Sequence, residues 1–332
     1  MIHATGSLYV TDHFDKNSRE EALSMINDLI ESFKAILEEN RWMDNQTKKE
    51  ALVKVDNLLP IIGYDDWIID NEKLDDFYAD LNMTDSEHIG RSVAILRRFN
   101  VDQLFRLLTV EVNRFDLGGN AGEVNAFYSP LQNAIIFPAA ILQPAFFHAQ
   151  YPKSFNYGAI GYVIGHEITH GFDDTGNQFD ENGNLKNWWN PEAFEKFDYR
   201  MKDIIQIYSN TTVVEVNMTV NGELTVGENI ADLGGLKTAF QAYKTFIAKH
   251  GREPPIPGFE QLTNEQTFFI SSAMCLCEKI TKEALTRQII SDPHTPNHNR
   301  ANIMIRNVPG FSEAFKCSNS SSTHQNVHYN VW

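Results

Sequence analysis

His166 and His170 stand four residues apart in the run GYVIGHEITHGFDD, and Glu167 follows the first of them. On a helix, positions i and i+4 lie one above the other on one face. Both imidazoles can then reach a single ion at the roughly 2.0–2.1 Å that zinc–nitrogen bonds need. Glu167 is rotated about 100° from His166, so it can sit beside such an ion, within reach of a water, without ligating it. Gly158, Gly161 and Gly165 thin this helix and let other backbone come close, while Val163, Ile164 and Ile168 can face a core. The HExxH pattern is short and also arises by chance. A third ligand decides between a metal site and a helix that merely carries two histidines.

The candidate third ligand lies in GENIADLGG. Glu228 and Asp232 are again spaced i, i+4, which puts both carboxylates on one helix face beside Ile230, Leu233, Leu236, Phe240, Tyr243 and Ile247. Carboxylates beside an apolar face need compensation. Glu228 would ligate the ion, and Asp232 would accept the other N–H of a ligand histidine and fix its tautomer. The competing reading is a solvated acidic helix start favoured by the macrodipole.

These residues need elements to carry them. Leu23, Ile26, Ile30, Phe33 and Leu37 predict an amphipathic helix with Asn17 or Ser18 as its cap. Thr47 and Glu50 read as a capping box opening a second helix through Leu52, Val55 and Leu59. Further helix is expected over 84–108 and loop over 112–124. Val124–Tyr128 and Ala134–Phe137 read as two strands joined by SPLQN. Asp180–Asn184 reads as a plain turn. Asn190 and Pro191 start a helix as cap and first-turn proline. Residues 212–226 suggest a hairpin around Asn221 and Gly222, and helices follow over about 228–250 and 264–290. The expected fold is mainly α with a small antiparallel β-sheet.

The 332 residues are 42% hydrophobic and 22% charged, with a formal net charge of −16. That length and composition suit one large or two smaller globular domains. The charge argues against nucleic acid or an anionic membrane as partner. No run reaches the roughly 18 apolar residues of a membrane span, and MIHATGSLYV has no signal-peptide pattern. Sequons at Asn45, Asn82, Asn210, Asn217 and Asn319 lean toward a secreted protein.

With VNAFYSP, FPAAILQPAFF, the extended GHEITHGFDDTG, GENIADLGG, SDPHTPNHNR and the closing FSEAFKC in this order, the chain resembles the neprilysin and endothelin-converting-enzyme family of zinc metallopeptidases. The resemblance covers nearly the whole chain. It implies a thermolysin-like (gluzincin) catalytic domain and one zinc ion held by His166, His170 and Glu228. It implies Glu167 as general base and acid, Asp232 as orienter of a ligand histidine, and His294 as transition-state stabiliser. Asn125 and Ala126 match the edge segment that holds a peptide backbone, and Arg300 an arginine that binds a substrate carbonyl. The function implied is hydrolysis of short peptides by a zinc endopeptidase. Phe127, Phe146, Phe147 and Phe172 are candidates both for an apolar pocket and for core.

Family members are about twice this length. The resemblance therefore implies that residues 1–100 are a helical remnant of a second, lid domain and its linker, and 101–332 the catalytic domain. An N-terminal half is expected in the parent protein, with an extracellular or cell-surface location, either secreted or type II anchored. The alternative is a truncated fragment that holds zinc without catalysis. Cys277 and Cys317 match family cysteines whose disulfide partners lie in that half. Cys275 matches none and reads as a buried small residue.

Overall fold

The longest helices arise where apolar residues recur every three to four positions. In chain order, helices α1 to α13 span Ile2–His13, Lys16–Glu39, Asn45–Asp56, Asn71–Phe77, Ile89–Arg106, Lys153–Gly158, Ile160–His170, Pro191–Ser209, Val226–His250, Asn264–Met274, Lys282–Ser291, Asn297–Arg306 and Pro309–Phe315. Strands β1 to β5 span Leu59–Gly63, Phe127–Ser129, Ala134–Pro138, Thr212–Val213 and Met218–Thr219. The computed structural model describes residues 1–84, 88–318, 329 and 331–332; the Asn319 sequon lies outside them. The fold is mainly helical with small sheets, as expected.

One core holds these elements together. α2 buries Ala22, Ile26, Leu29, Phe33 and Leu37, and packs on both α7 and α9. Leu23 of the expected stripe is instead solvent-exposed, because the inward face is set by Ala22 and Met25. The cap of α2 is Asp15, whose carboxylate accepts from the Asn17 amide, and not Asn17 or Ser18. Likewise the Thr47–Glu50 capping box does not form. Asp44 caps α3 by accepting from the amides of Gln46 and Thr47 at 2.9 and 3.1 Å. The Thr47 hydroxyl donates back to Asp44 at 2.6 Å.

α3 ends at Asp56, and Leu59 opens β1 rather than continuing a helix. β1 pairs with β3 in parallel, from Leu59 opposite Ala134 to Gly63 opposite Pro138. β2 pairs with β3 antiparallel, with Phe127 opposite Ile136. The strand order β1-β3-β2 leaves β3 central and fully buried and β2 at an edge. The sheet is therefore antiparallel only in its β2–β3 half. Asn133 closes the β2–β3 turn in the left-handed region, at φ 47°, which asparagine tolerates.

Two later boundaries also differ from expectation. The hairpin β4–β5 turns through Val214–Asn217, and Asn217 takes φ 52°. Asn221 instead accepts from the Leu224 amide on the approach to α9. The expected 264–290 helix is two helices, because the chain leaves the helical path after Met274 and Thr281 caps a new start at the Ala284 amide. Asn190 caps α8 as expected.

What positions the site is the crossing of α7 and α9. A Cβ added to Gly165 would stand 2.4 Å from the Gly235 carbonyl oxygen, and one on Gly235 would stand 2.5 Å from the His166 amide nitrogen. Only glycine permits that approach. It sets the histidine face of α7 directly against the carboxylate face of α9.

Candidate metal centre

His166 and His170 project from the last turns of α7, and Glu228 from the first turn of α9. His166 Nε2 and His170 Nε2 are 3.0 Å apart. Glu228 Oε2 lies 3.1 Å from the first and 3.4 Å from the second. A tetrahedral ion with ligand bonds of roughly 2.0–2.1 Å has edges of about 3.3 Å, so this triangle has the dimensions of one face of a zinc site.

The far side of each ring supports that fit. His166 Nδ1 lies 2.9 Å from Asp232 Oδ1, and His170 Nδ1 lies 2.6 Å from Asp173 Oδ2. A carboxylate only accepts, so the neutral tautomer with its proton on Nδ1 suits both rings and aims each Nε2 lone pair at the common point. Two lone pairs at 3.0 Å beside a carboxylate oxygen call for a cation between them. A proton can serve in the metal's place. Burial opposes charge on His170, yet the hydrogen bonds to Asp173 and Glu228 outweigh it and raise its pKa well above the ordinary value. His166 is raised for like reasons: burial and His170 oppose charge, and Asp232 and Glu228 prevail. Burial also resists charge on Glu228, but His166, His170 and His294 hold its carboxyl far below the usual range.

Asp232 is fully buried and multiply held. Arg300 grips it with Nε and Nη2 at 2.8 and 2.7 Å, and the Tyr162 hydroxyl donates to it at 2.6 Å. Burial alone would raise the Asp232 carboxyl; Arg300 and His166 hold it well below the ordinary value. Arg300, expected at the substrate, thus commits two donors to Asp232 while also lining the cavity.

His294 Nε2 sits 3.2 Å from Glu228 Oε2 and its Nδ1 2.8 Å from Asp292 Oδ1. Its loop is tied to the start of α9 by the Thr295 hydroxyl, which donates to Asn229 at 2.9 Å. Glu167 is 5% exposed and lines the same cavity. Burial raises its carboxyl, and His166 and His170 pull it back only in part.

Eight of the nine expected site residues line one cavity of about 490 Å³, and Asp232 stands behind it. Asn125 and Ala126 lead into the edge strand β2 along its rim. Phe127 and Phe146 line the cavity, whereas Phe147 and Phe172 are core at 1% and 2% exposure. Cys275 also lines it, and burial pushes its thiol up to about 12, which keeps it protonated and inert.

Asp173, Tyr162 and Asp292 were not singled out from sequence. Asp173 had a signal: a second candidate ligand histidine needs its own acceptor, and GFDD follows His170 directly. Tyr162 and Asp292 had none beyond closeness in sequence.

The sequence model of peptidase family M13 matches residues 125–331, and a second model of that family matches residues 1–65. Neprilysin-1 of Caenorhabditis elegans is 47% identical over 100% of this chain and 44% of its own length. An endothelin-converting enzyme homolog of Locusta migratoria is 40% identical over 99% of this chain and 45% of its own. The crystal structure of Mycobacterium tuberculosis zinc metalloprotease Zmp1 in complex with an inhibitor superposes with a TM-score of 0.84 at 34% identity, covering 98% of this chain and 48% of that one. The chain thus spans under half the length of these relatives. Peptidases of this family are zinc-dependent, and the residues at the α7–α9 crossing have the types and spacing to hold that ion. The chain belongs to peptidase family M13, the neprilysin and endothelin-converting-enzyme family.

Proposed function

We propose that the chain carries the active site of a zinc metalloendopeptidase that hydrolyses short peptides. The observation behind this reading is the convergence of His166 Nε2, His170 Nε2 and Glu228 Oε2 within 3.0–3.4 Å of one another, beside Glu167 and at the wall of a cavity. These three residues would hold one zinc ion. When bound, zinc supplies a Lewis acid that polarises a peptide carbonyl and acidifies water.

The chain's own residues do the rest. Glu167, buried and lining the same cavity, takes the proton of the attacking water and returns it to the leaving amine. His294, steadied by Asp292, donates from Nε2 to the developing oxyanion. A peptide adds alongside β2, with Asn125 and Ala126 meeting its backbone. Arg300 holds Asp232 and binds a substrate carbonyl from its cavity side. Asp232 and Asp173 keep the two imidazoles in the ligating tautomer.

The parent protein is proposed to act outside the cell or at its surface. Exposed asparagines at the Asn45, Asn82, Asn210 and Asn217 sequons support this. Among the described residues no helix is long and apolar enough to cross a membrane.

The test uses the purified 332-residue chain. Bound zinc and chelator-sensitive cleavage of a short fluorogenic peptide are measured on one sample, with Glu167→Gln as control. About one zinc per chain, with cleavage lost in Glu167→Gln, establishes the reading. Zinc without cleavage favours the second reading, a zinc-holding stretch that needs more of its parent protein to act. No zinc refutes the ligand set.

A further inference from the structure

Lys54 is a buried cation that the proposed chemistry does not use. It sits on α3, remote in sequence from the candidate ligands, and is 2% exposed. Its ammonium donates to three main-chain carbonyls: Gly171 at 2.6 Å, Gly176 at 2.6 Å and Phe179 at 2.8 Å. An ammonium has three donors and no acceptor, so the count is matched. The rings of Phe172, Tyr128 and Trp188 stand 5.3, 5.9 and 6.0 Å from the nitrogen, close enough for cation–π attraction. Burial pulls the amine down to about 7, and Asp173 and Asp180 pull it back toward the charged form.

Those three carbonyls belong to the turn that follows α7, and that turn carries Asp173. Asp173 gathers the other half of the same backbone. Its Oδ1 accepts from the amides of Thr175 at 2.8 Å and Gly176 at 2.6 Å, while its Oδ2 faces His170 Nδ1. Lys54 therefore collects carbonyls on one side of the turn as Asp173 collects amides on the other. The Lys54 carbonyl is held as well, accepting from Asn133 at 3.0 Å in the β2–β3 turn. One residue thus joins α3 to the edge hairpin through its main chain and to the turn behind a candidate ligand histidine through its side chain.

We propose that Lys54 is a positioning residue for the metal centre: by fixing the 171–179 turn it holds Asp173 against His170 Nδ1, and so sets how tightly the site binds zinc. The inference rests on the zinc reading above. It predicts coupling between two residues whose side chains meet only through the turn.

The experiment measures zinc affinity of the 332-residue chain by competition with a chelator of known affinity, together with helicity and thermal unfolding of the zinc-free protein. The variants are Lys54→Met, Asp173→Asn and the two combined. Lys54→Gln is a second form that keeps part of the donor set. Loss of an outer partner of a ligand histidine typically costs 10–100-fold in metal affinity. Lys54→Met should weaken zinc at least tenfold in a folded chain, and Lys54→Gln less. The double variant should bind about as weakly as Asp173→Asn alone, because both changes act through one contact. Unchanged zinc affinity in folded Lys54→Met overturns the inference, as do losses that multiply in the double variant. If neither Lys54 variant folds, Lys54 is a stability residue and the inference falls. If the parent chain binds no zinc, the metal reading falls with it; if the parent binds and Lys54→Met binds equally, only the Lys54 link falls.

Discussion

Gly165 and Gly235 touch backbone to backbone: a Cβ on Gly165 would lie 2.4 Å from the Gly235 carbonyl oxygen. That contact brings His166 of α7 over Glu228 and Asp232 of α9. Any methyl group here must push the helices apart. Gly235→Ala should therefore cost about 1–3 kcal/mol or more from overpacking, and should also weaken zinc by separating the ligands. Thermal unfolding and zinc titration of Gly235→Ala check both effects. The predicted stability cost with unchanged zinc affinity would show that the crossing does not set the site.

Asp232 and Asp173 each face the Nδ1 of one histidine, in different surroundings. Asp173 lies in a turn where backbone amides share its charge. Asp232 is fully buried and is the bidentate partner of Arg300. Replacing either by asparagine should weaken zinc about 10–100-fold. Asp232→Asn should in addition destabilise the zinc-free chain by about 3–5 kcal/mol, since it leaves a buried guanidinium uncompensated. Comparing the unfolding midpoints of the two zinc-free variants tests the difference. Equal midpoints would mean that Arg300 finds another partner.

Cleavage should depend on Glu167 far more than zinc binding does. Glu167→Gln keeps the volume and removes the base, so kcat should fall by at least about 10²–10⁴-fold with zinc retained. In the parent, burial raises the Glu167 carboxyl above its ordinary 4.5, and the ionised form is the one that accepts a proton. An acid limb of kcat/KM set by this carboxyl should vanish from the residual activity of Glu167→Gln. A pH–rate profile of both proteins is the measurement.

The candidate site was legible because it is written locally. HEITH and GENIAD each place two groups on one helix face by i, i+4 spacing, and burial of a carboxylate demands a partner. What sequence hid depends on distant pairing or on where a helix stops. Leu59 reads as the tail of α3, and it opens β1 only because β3, some way along the chain, offers a parallel edge. Lys54 looks like an ordinary helix lysine until the 171–179 turn folds over it. The break after Met274 carries no proline or glycine. It puts Cys275 and Leu276 into the cavity wall, a tertiary arrangement that local propensity does not encode.

Protons and zinc compete for the same nitrogens, so stability should respond to pH differently with and without metal. In the zinc-free chain, His166 and His170 have pKa values raised above the ordinary 6.5. A raised folded-state pKa adds stability that is fully present below the unfolded value and is lost as pH rises through the folded one. The zinc-free chain should therefore lose this contribution as pH rises above about 6.5. Zinc requires neutral histidines, so its binding strengthens over the same interval as the protons leave. Since a ligand stabilises in proportion to the logarithm of its concentration over Kd, the midpoint gap between zinc-loaded and zinc-free chains should widen steadily from pH 6 to pH 8. Parallel thermal scans at fixed free zinc measure that gap. A constant gap would mean that His166 and His170 do not give up protons when the metal binds.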